Sequence, residues 1–153
     1  MRALPLRTAS ADCSRQLRQW CLLVNDEDQY GDALTAPYWD AARRHELALQ
    51  RCTACGAVQF YPRPFCLACQ SDDVEWVPAG GGGVVYSMTT VRIQIAPEFE
   101  PPYIVALVEL DEGPRILTNV LAACEIGQRV RLTWKDRGAD PPLPVFEADD
   151  GKE

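Results

Sequence analysis

Alternating apolar and polar residues mark the second half of the chain as β-structure. Val84–Ile95 is rich in β-branched side chains, and Tyr103–Leu110 is almost entirely apolar. The turn-forming residues Asp111–Pro114 separate Tyr103–Leu110 from a further strand-like segment, Arg115–Leu121. Two strand-like segments joined by a short turn predict a β-hairpin.

Two more strands are expected before the C-terminus. Arg129–Trp134 alternates strictly, with its apolar residues on one face. The proline-rich stretch Pro141–Pro144 is expected to interrupt the chain ahead of a last short strand, Val145–Glu147. Roughly five strands in about seventy residues is the count of a small Greek-key barrel such as an OB-fold.

The first half of the chain predicts two short helices. The earlier one has an apolar stripe at helical spacing, formed by Leu17, Trp20, Cys21 and Val24. The acidic stretch Asn25–Asp28 would end it, and the segment fits either a docking helix for a partner or a mobile N-terminal extension. The later helix is expected over Pro37–Glu46, with Thr35 or Ala36 as its cap and the proline in its first turn.

Three short strand-like segments then surround two pairs of cysteines. They are Leu47–Arg51, Val58–Tyr61 and Val74–Val77. Too few apolar side chains lie here to form a core, so a bound metal is expected to hold this ribbon together. The run Gly80–Gly83 is interpreted as a flexible link. The patterns divide the chain into an N-terminal extension (1–35), a helix plus ribbon (36–79), a barrel (80–148) and an acidic tail (149–153).

The cysteine pairs carry the clearest chemistry. Cys52 and Cys55 form one CxxC pair, and Cys66 and Cys69 form the other. A two-residue gap lets both sulfurs of a pair face one ion, and Gly56 allows a tight turn after the first pair. Four thiolates fill a tetrahedral site, which predicts a structural Zn²⁺ with no open position for a substrate. A four-thiolate iron site stays open as the alternative.

Composition narrows the functional classes. The 153 residues are 47% hydrophobic and carry a formal net charge of −7, which weighs against nucleic-acid binding through counterion release. Seven cysteines, an odd number, favour a reduced protein over a disulfide scaffold. With no secretory signal or long apolar span, the expected location is the cytoplasm, with no membrane partner. Cys13, Cys21 and Cys124 are interpreted as buried or incidental thiols.

Catalytic groups are scarce. The single histidine, His45, lies among arginines in the later predicted helix and is interpreted as a surface or capping residue. No dinucleotide or Walker fingerprint occurs. Trp134 alternates with Arg129 and Arg131, which favours a core position over stacking on a nucleic-acid base. The sequence therefore predicts no catalytic residue.

Several segments resemble a zinc-ribbon/OB-fold family of proteins associated with acyl-CoA enzymes, long catalogued as a domain of unknown function. These segments are Pro37–Ala42, Gln50–Gly56, Tyr61–Cys66, Pro102–Arg115 and the region of Leu143–Phe146. Two positions depart from the family: His45 stands where many members have glycine, and Gly81–Gly83 stands where many have Gly-Arg-Gly.

The resemblance implies a rubredoxin-like four-cysteine ribbon, a five-stranded OB-fold barrel and an accessory role. Family members form stable complexes with thiolase-like enzymes, including an aldolase of steroid side-chain breakdown, and some pair with a hot-dog-fold hydratase. The partner would carry the nucleophile for carbon–carbon bond cleavage or formation on an acyl-CoA held at the interface. A stand-alone module that binds acyl-CoA or nucleic acid is the alternative.

Two sets of side chains are candidates for contact with a partner or with CoA. Six aromatic residues would form either an exposed docking patch or the packing between ribbon and barrel: Tyr38, Trp39, Phe60, Tyr61, Phe65 and Phe99. Arg63, Arg92 and Arg115 are candidates to meet a CoA phosphate, and the sequence does not rank them.

Overall fold

A computed structural model describes residues 32–95 and 97–149 of the chain. The predicted helix around Leu17–Val24, the thiols of Cys13 and Cys21, and residues 150–153 of the tail lie outside this range. Within it, one helix, α1 (Ala36–Arg43), precedes eight strands. Among the described residues, no helix has both the length and the apolar character that a membrane crossing needs.

The first three strands form the ribbon sheet. They are β1 (Ala48–Cys52), β2 (Val58–Gln59) and β3 (Val74–Pro78), and the sheet order is β2-β1-β3. Both pairings are antiparallel, with Gln50 opposite Gln59 on one side of β1 and opposite Trp76 on the other. The sheet carries the first cysteine pair at the end of β1.

The other five strands close into a barrel. They are β4 (Gly82–Val91), β5 (Tyr103–Leu110), β6 (Arg115–Val120), β7 (Arg129–Arg137) and β8 (Asp140–Ala148). Their order around the barrel is β4-β5-β6-β8-β7, and β6 with β8 is the parallel pair. The mainly β fold, the five-stranded barrel and the β5–β6 hairpin are thus confirmed. Strands β2 and β4 end earlier than predicted, at Gln59 and Val91.

Helix α1 ends three residues before the predicted Glu46. His45 has a φ of 58°, in the left-handed region that stops an α-helix. The N–H groups of His45 and Glu46 still donate to the carbonyls of Ala42 and Ala41, over 2.8 and 3.0 Å. Arg44 is the C-cap, and His45 follows it as an exposed residue that takes part in ending the helix; its positive φ explains why glycine would suit this position.

The interpretation of Gly80–Gly83 as a flexible link is wrong. Its last two residues begin β4, and the carbonyl of Gly81 accepts a 2.7 Å hydrogen bond from the N–H of Leu132. A Cβ placed on Gly83 would lie 2.7 Å from the carbonyl oxygen of Glu109 on β5. Gly83 is needed because β4 and β5 approach closely at this point, not because the chain must move.

Pro141–Pro144 also differs from the expectation, because it lies inside β8 rather than ahead of it. This part of β8 pairs with β7, whereas β6 reaches β8 only at Val145 and Phe146. Proline lacks the backbone N–H, so it is tolerated where a strand has a neighbour on one side alone.

One core joins the ribbon to the barrel. Phe146 and Val108 are fully buried in the barrel, and Tyr38, Leu47 and Leu49 belong to the same apolar cluster. The ribbon therefore has a core at its base, which the sequence did not indicate. Its far end does lack one: within residues 51–75 the buried side chains are those of Cys52, Gln59, Pro62 and Cys66.

A candidate metal centre and the loop it holds

Four thiols converge at the far end of the ribbon. The sulfur atoms of Cys52, Cys55, Cys66 and Cys69 all lie within 4.8 Å of one another. Cys52 Sγ is 3.6 Å from Cys69 Sγ, and Cys55 Sγ is 3.7 Å from Cys66 Sγ. The structure therefore brings together all four residues that the CxxC spacing selected.

The two pairs sit in turns of the same design. After the first pair, the N–H of Gly56 donates to the carbonyl of Cys52 over 2.8 Å. After the second, the N–H of Gln70 donates to the carbonyl of Cys66 over 2.9 Å. Gly56 and Gln70 both have a positive φ, 76° and 62°. Each turn thus directs the two sulfurs of its pair toward the same point.

The distances fit a tetrahedral ion better than a disulfide. Bonds of about 2.3 Å from zinc to sulfur place the sulfurs of a tetrahedron about 3.8 Å apart. The 3.6 and 3.7 Å separations are close to that value and well beyond the ~2 Å of a disulfide bond. Cys124 takes no part, because its Sγ lies 3.7 Å from the Sδ of Met88 in the barrel.

The surroundings of Cys66 and Cys69 shift the pKa values of their thiols in opposite directions. A backbone N–H from Cys69 lowers the pKa of Cys66 to about 7, although burial opposes this. At Cys69 the N–H of Ser71 lowers the pKa, but the thiols of Cys55 and Cys52 raise it more, to about 12. A divalent cation would offset the repulsion between thiolates, so its binding would release protons.

A buried pair of glutamines lies behind the metal ligands. Gln59 Nε2 donates to Gln50 Oε1 over 3.0 Å and to the carbonyl of Phe65 over 3.1 Å. The backbone N–H of Arg63 donates to Gln50 Oε1 over 2.8 Å, and that of Leu67 donates to Gln59 Oε1 over 2.9 Å. The pair therefore binds the backbone at three points, of which Arg63 and Phe65 lie in the loop between the cysteine pairs and Leu67 lies inside the second pair.

The aromatic residues near the ribbon divide between the two roles that the sequence left open. Tyr38 is buried, and the rings of Trp39 and Phe60 lie 4.9 and 5.7 Å from its ring. These three pack between α1 and the ribbon, whereas Tyr61 and Phe65 are exposed. Some of the six aromatic residues therefore serve packing, and others remain exposed on the surface.

Two further aromatic residues belong to the barrel. Trp134 is half-buried against the core, as its alternation predicted, and its ring centre is 5.5 Å from that of His45. His45 Nε2 is 3.1 Å from Asp136 Oδ1, so this residue connects the end of α1 to β7. Phe99 contacts the ring of Tyr103 at 5.5 Å.

The three candidate arginines differ in their surroundings. The guanidinium of Arg115 lies 3.4 Å from the centre of the Tyr86 ring, and its Nη2 is 2.8 Å from Glu109 Oε2. The carboxylate of Glu109 raises the pKa of Arg115. Arg63 and Arg92 are exposed, and no salt bridge joins either to another described residue.

The contacts that sequence reasoning missed include the glutamine pair and the ion pair of Arg129 with Asp111. Gln50 and Gln59 lie in predicted strands, and a polar residue in a strand is normally expected to face solvent. Only the pairing of β1 with β2 shows that they face each other inside the protein. Arg129 makes two hydrogen bonds to Asp111, of 2.6 and 2.9 Å, across eighteen residues of sequence that carry no spacing signal.

Comparison with known proteins agrees with both parts of the fold. Residues 39–75 match the family described as "ChsH2, rubredoxin-like zinc ribbon domain", and residues 76–135 match "ChsH2, C-terminal OB-fold domain". The "Probable enoyl-CoA hydratase alpha subunit" of Thermomonospora curvata is 42% identical over 113 residues, which are 71% of this chain and 35% of that protein. The chain spans about a third of the length of the hydratase subunits that it matches.

Two other similar proteins are covered more completely. A "DUF35 domain-containing scaffold protein" of Methanothermobacter thermautotrophicus is 30% identical over 61% of this chain and 74% of its own length. A chain of the solved structure "Ltp2-ChsH2(DUF35) aldolase" is 39% identical with a TM-score of 0.71, over 77% of this chain and 96% of its own. The protein therefore belongs to the DUF35 family, and it carries a ChsH2-type zinc ribbon followed by an OB-fold.

Proposed function

We propose that this chain is a non-catalytic, zinc-binding subunit of an enzyme complex that forms or breaks a carbon–carbon bond in a CoA thioester. The observation that carries the proposal is the 39% identity to a chain of the Ltp2-ChsH2(DUF35) aldolase, of which 96% is covered. The archaeal relatives named as scaffold proteins support a role in assembly. The enzyme partner would be a thiolase or a thiolase-like aldolase.

The metal would serve the structure of the ribbon. Cys52, Cys55, Cys66 and Cys69 would hold a Zn²⁺ with four protein thiolates, which leaves no position for water or substrate. Residues 51–75 bury almost no apolar side chain, so the ion would supply most of the free energy that keeps this end folded.

A CoA thioester is proposed to bind where this chain meets its partner. Arg92 is the better-placed of the barrel candidates for a CoA phosphate, since it is exposed and its guanidinium has no carboxylate within salt-bridge distance among the described residues. Arg115 is already engaged by Glu109 and Tyr86.

A hydratase is the second candidate partner. The 42% identity to the Thermomonospora curvata hydratase alpha subunit extends over 113 residues and supports it. In this case the chain would complete a hydratase subunit pair, and the reaction would add water to an enoyl-CoA. The scaffold role and the zinc would be the same.

The test is co-expression with a candidate thiolase-like or hydratase-type subunit from the same genome, followed by size-exclusion chromatography with light scattering. We expect one stable species that contains both chains, and a rate on CoA thioesters that exceeds the rate of the enzyme subunit alone. Separate elution, together with full activity of the enzyme alone, would contradict the proposal. Turnover of a thioester panel by this chain alone would contradict its non-catalytic character.

A further inference from the structure

Residues Tyr61–Leu67, which run from the loop between the cysteine pairs into the second pair, present several exposed apolar side chains; we call this segment the ribbon tip. The side chains of Tyr61, Phe65 and Leu67 are 54%, 41% and 60% exposed, and that of Arg63 is exposed among them. Tyrosine, phenylalanine and arginine are the residue types enriched at protein interfaces. Three large apolar groups within seven residues therefore mark this loop as a surface that another molecule covers.

Hydrogen bonds to buried side chains hold the backbone of the ribbon tip in one conformation. Gln50 and Gln59 are buried, and they bind the backbone of the tip at Arg63, Phe65 and Leu67. These hydrogen bonds occupy inward backbone groups, and the side chains of Tyr61, Phe65 and Leu67 are exposed. A loop ordered in advance loses little conformational entropy on binding, so its contacts contribute more fully to affinity.

Side-chain packing supports the tip at both ends. The ring of Tyr61 lies 5.8 Å from that of Phe60, which in turn lies 5.7 Å from the buried ring of Tyr38. At the other end, Cys66 is buried and belongs to the candidate metal centre. The loop is thus a rigid projection between the core and the thiolate site.

The ribbon tip differs from the rest of the helix and ribbon in the ion pairing of its arginine. Their other arginines are paired with carboxylates at 3.2, 3.0 and 2.7 Å, in the pairs Arg43–Asp40, Arg44–Glu46 and Arg51–Glu75. Arg63 forms no salt bridge with a described residue. An acidic group on the partner would complement it. A second copy of this chain fits less well, because two molecules of formal charge −7 repel each other.

We propose that the ribbon tip is a docking surface for the enzyme subunit of the proposed complex, an inference that rests on the proposed function. The partner offers an apolar depression for Tyr61, Phe65 and Leu67, with a carboxylate facing Arg63. Gln50 and Gln59 are positioning residues, because they act through the loop and not by contact with the partner.

The experiment compares two triple variants with the unaltered chain, each titrated against the purified enzyme subunit by biolayer interferometry. The ribbon-tip variant is Tyr61→Ser, Phe65→Ser, Leu67→Ser. The matched control is Leu117→Ser, Leu121→Ser, Ile126→Ser, which removes three apolar barrel residues that are 52% to 68% exposed. Because all six side chains are exposed, zinc content and thermal unfolding should stay close to those of the unaltered chain.

We expect the ribbon-tip variant to bind at least about 100-fold more weakly, the loss typical of two or more central interface residues. The control should bind within about threefold of the unaltered chain. Equal binding by the ribbon-tip variant would overturn the inference while the proposed function stands. No binding by the unaltered chain would instead remove the proposed function. A dimer of the unaltered chain that the tip substitutions abolish would also overturn the inference, since the tip would then bind a second copy.

Two single substitutions test the parts of the mechanism. Arg63→Ala should weaken binding and reduce the dependence of the association rate on salt, as removal of an interface charge does. Gln59→Leu keeps every exposed side chain but removes the hydrogen bonds to Phe65 and Leu67. It should speed amide exchange at Leu67 and weaken binding, with zinc content unchanged. Faster exchange with undiminished affinity would show that Gln59 does not position the tip for binding.

Discussion

His45 shows how a single residue can hold a backbone conformation that its type disfavours. Its φ of 58° lies in the left-handed region, which would suit glycine. The histidine ring compensates by reaching Asp136 at 3.1 Å and Trp134 at 5.5 Å, so it ties the end of α1 to the barrel. Histidine therefore adopts a disfavoured φ at this position, but its ring adds contacts between α1 and the barrel.

This balance predicts different effects for two substitutions of His45. Alanine loses the ring contacts and keeps the unfavourable φ, whereas glycine loses the same contacts but adopts that φ freely. We expect His45→Gly to be more stable than His45→Ala by about 1 kcal/mol, a common cost of a left-handed residue that is not glycine. Urea denaturation of both variants measures the difference, and an alanine variant at least as stable as the glycine variant would contradict it.

The four cysteines give the second prediction at this scale. Cys66→Ser should reduce bound zinc from about one ion per chain to a small fraction, because one of four thiolates is lost. The far end of the ribbon should then unfold, since residues 51–75 bury little else. Metal analysis and amide-proton NMR of the ribbon measure both effects.

Cys124→Ser is the matched control for Cys66→Ser. Its thiol is half-buried beside Met88 and does not belong to the four-sulfur cluster. It should retain the zinc and the ribbon signals. A Cys66→Ser protein that keeps its full zinc and a folded ribbon would refute the assignment of these four ligands. Iron in place of zinc would appear in the same metal analysis.

At the scale of elements, the connection between the ribbon and the barrel leads directly into strand β4 and is not a flexible linker. The run Gly80–Gly83 leads directly into β4, and its residues are hydrogen-bonded to β7 and to the β5–β6 turn. The N–H of Gly80 donates to Glu112 Oε1 over 2.6 Å. Since the ribbon base and the barrel also share a core, the two parts have a fixed relative orientation.

The close approach of strands at Gly83 predicts a strong effect of one methyl group. A Cβ there would meet the Glu109 carbonyl at 2.7 Å, and backbone cannot move aside as a flexible side chain can. We expect Gly83→Ala to lower the free energy of unfolding by about 1–3 kcal/mol, the range for overpacking. Gly80→Ala is the control, because its Cβ would meet only the end of the Glu112 side chain, at 3.3 Å. Thermal denaturation that finds the two variants equally stable would contradict the fixed joint.

The sequence predicted elements well where hydrophobic periodicity or cysteine spacing is strong. It predicted them less well where the pairing of neighbouring strands determines the structure. Tyr103–Leu110 was bounded correctly because an apolar run ends in a turn signal. Pro141–Pro144 and Gly80–Gly83 were misjudged because proline and glycine usually interrupt structure, and only the neighbouring strands show why they are tolerated here. The CxxC spacing identified the four cysteines that converge, whereas the glutamine pair depends on the register of β1 with β2, which no local pattern encodes.

At the scale of the whole molecule, each part has a separate physical task. The barrel supplies the larger share of the core, and the ribbon base joins that core. The four cysteines converge at the far end, where apolar burial is lacking, and are proposed to hold it through a bound Zn²⁺. The ribbon tip projects from that end on a buried polar support. Such a molecule is suited to present a rigid surface to another protein, which is how a subunit without its own catalytic groups would contribute to a reaction.

The central claim is that this chain contributes to the reaction of another subunit. The most direct measurement is the steady-state rate of the purified enzyme subunit on its CoA thioester as increasing amounts of this chain are added. The rate should rise and then saturate, and the Cys66→Ser chain should fail to raise it. A full rate without this chain, unchanged when it is added, would contradict the claim.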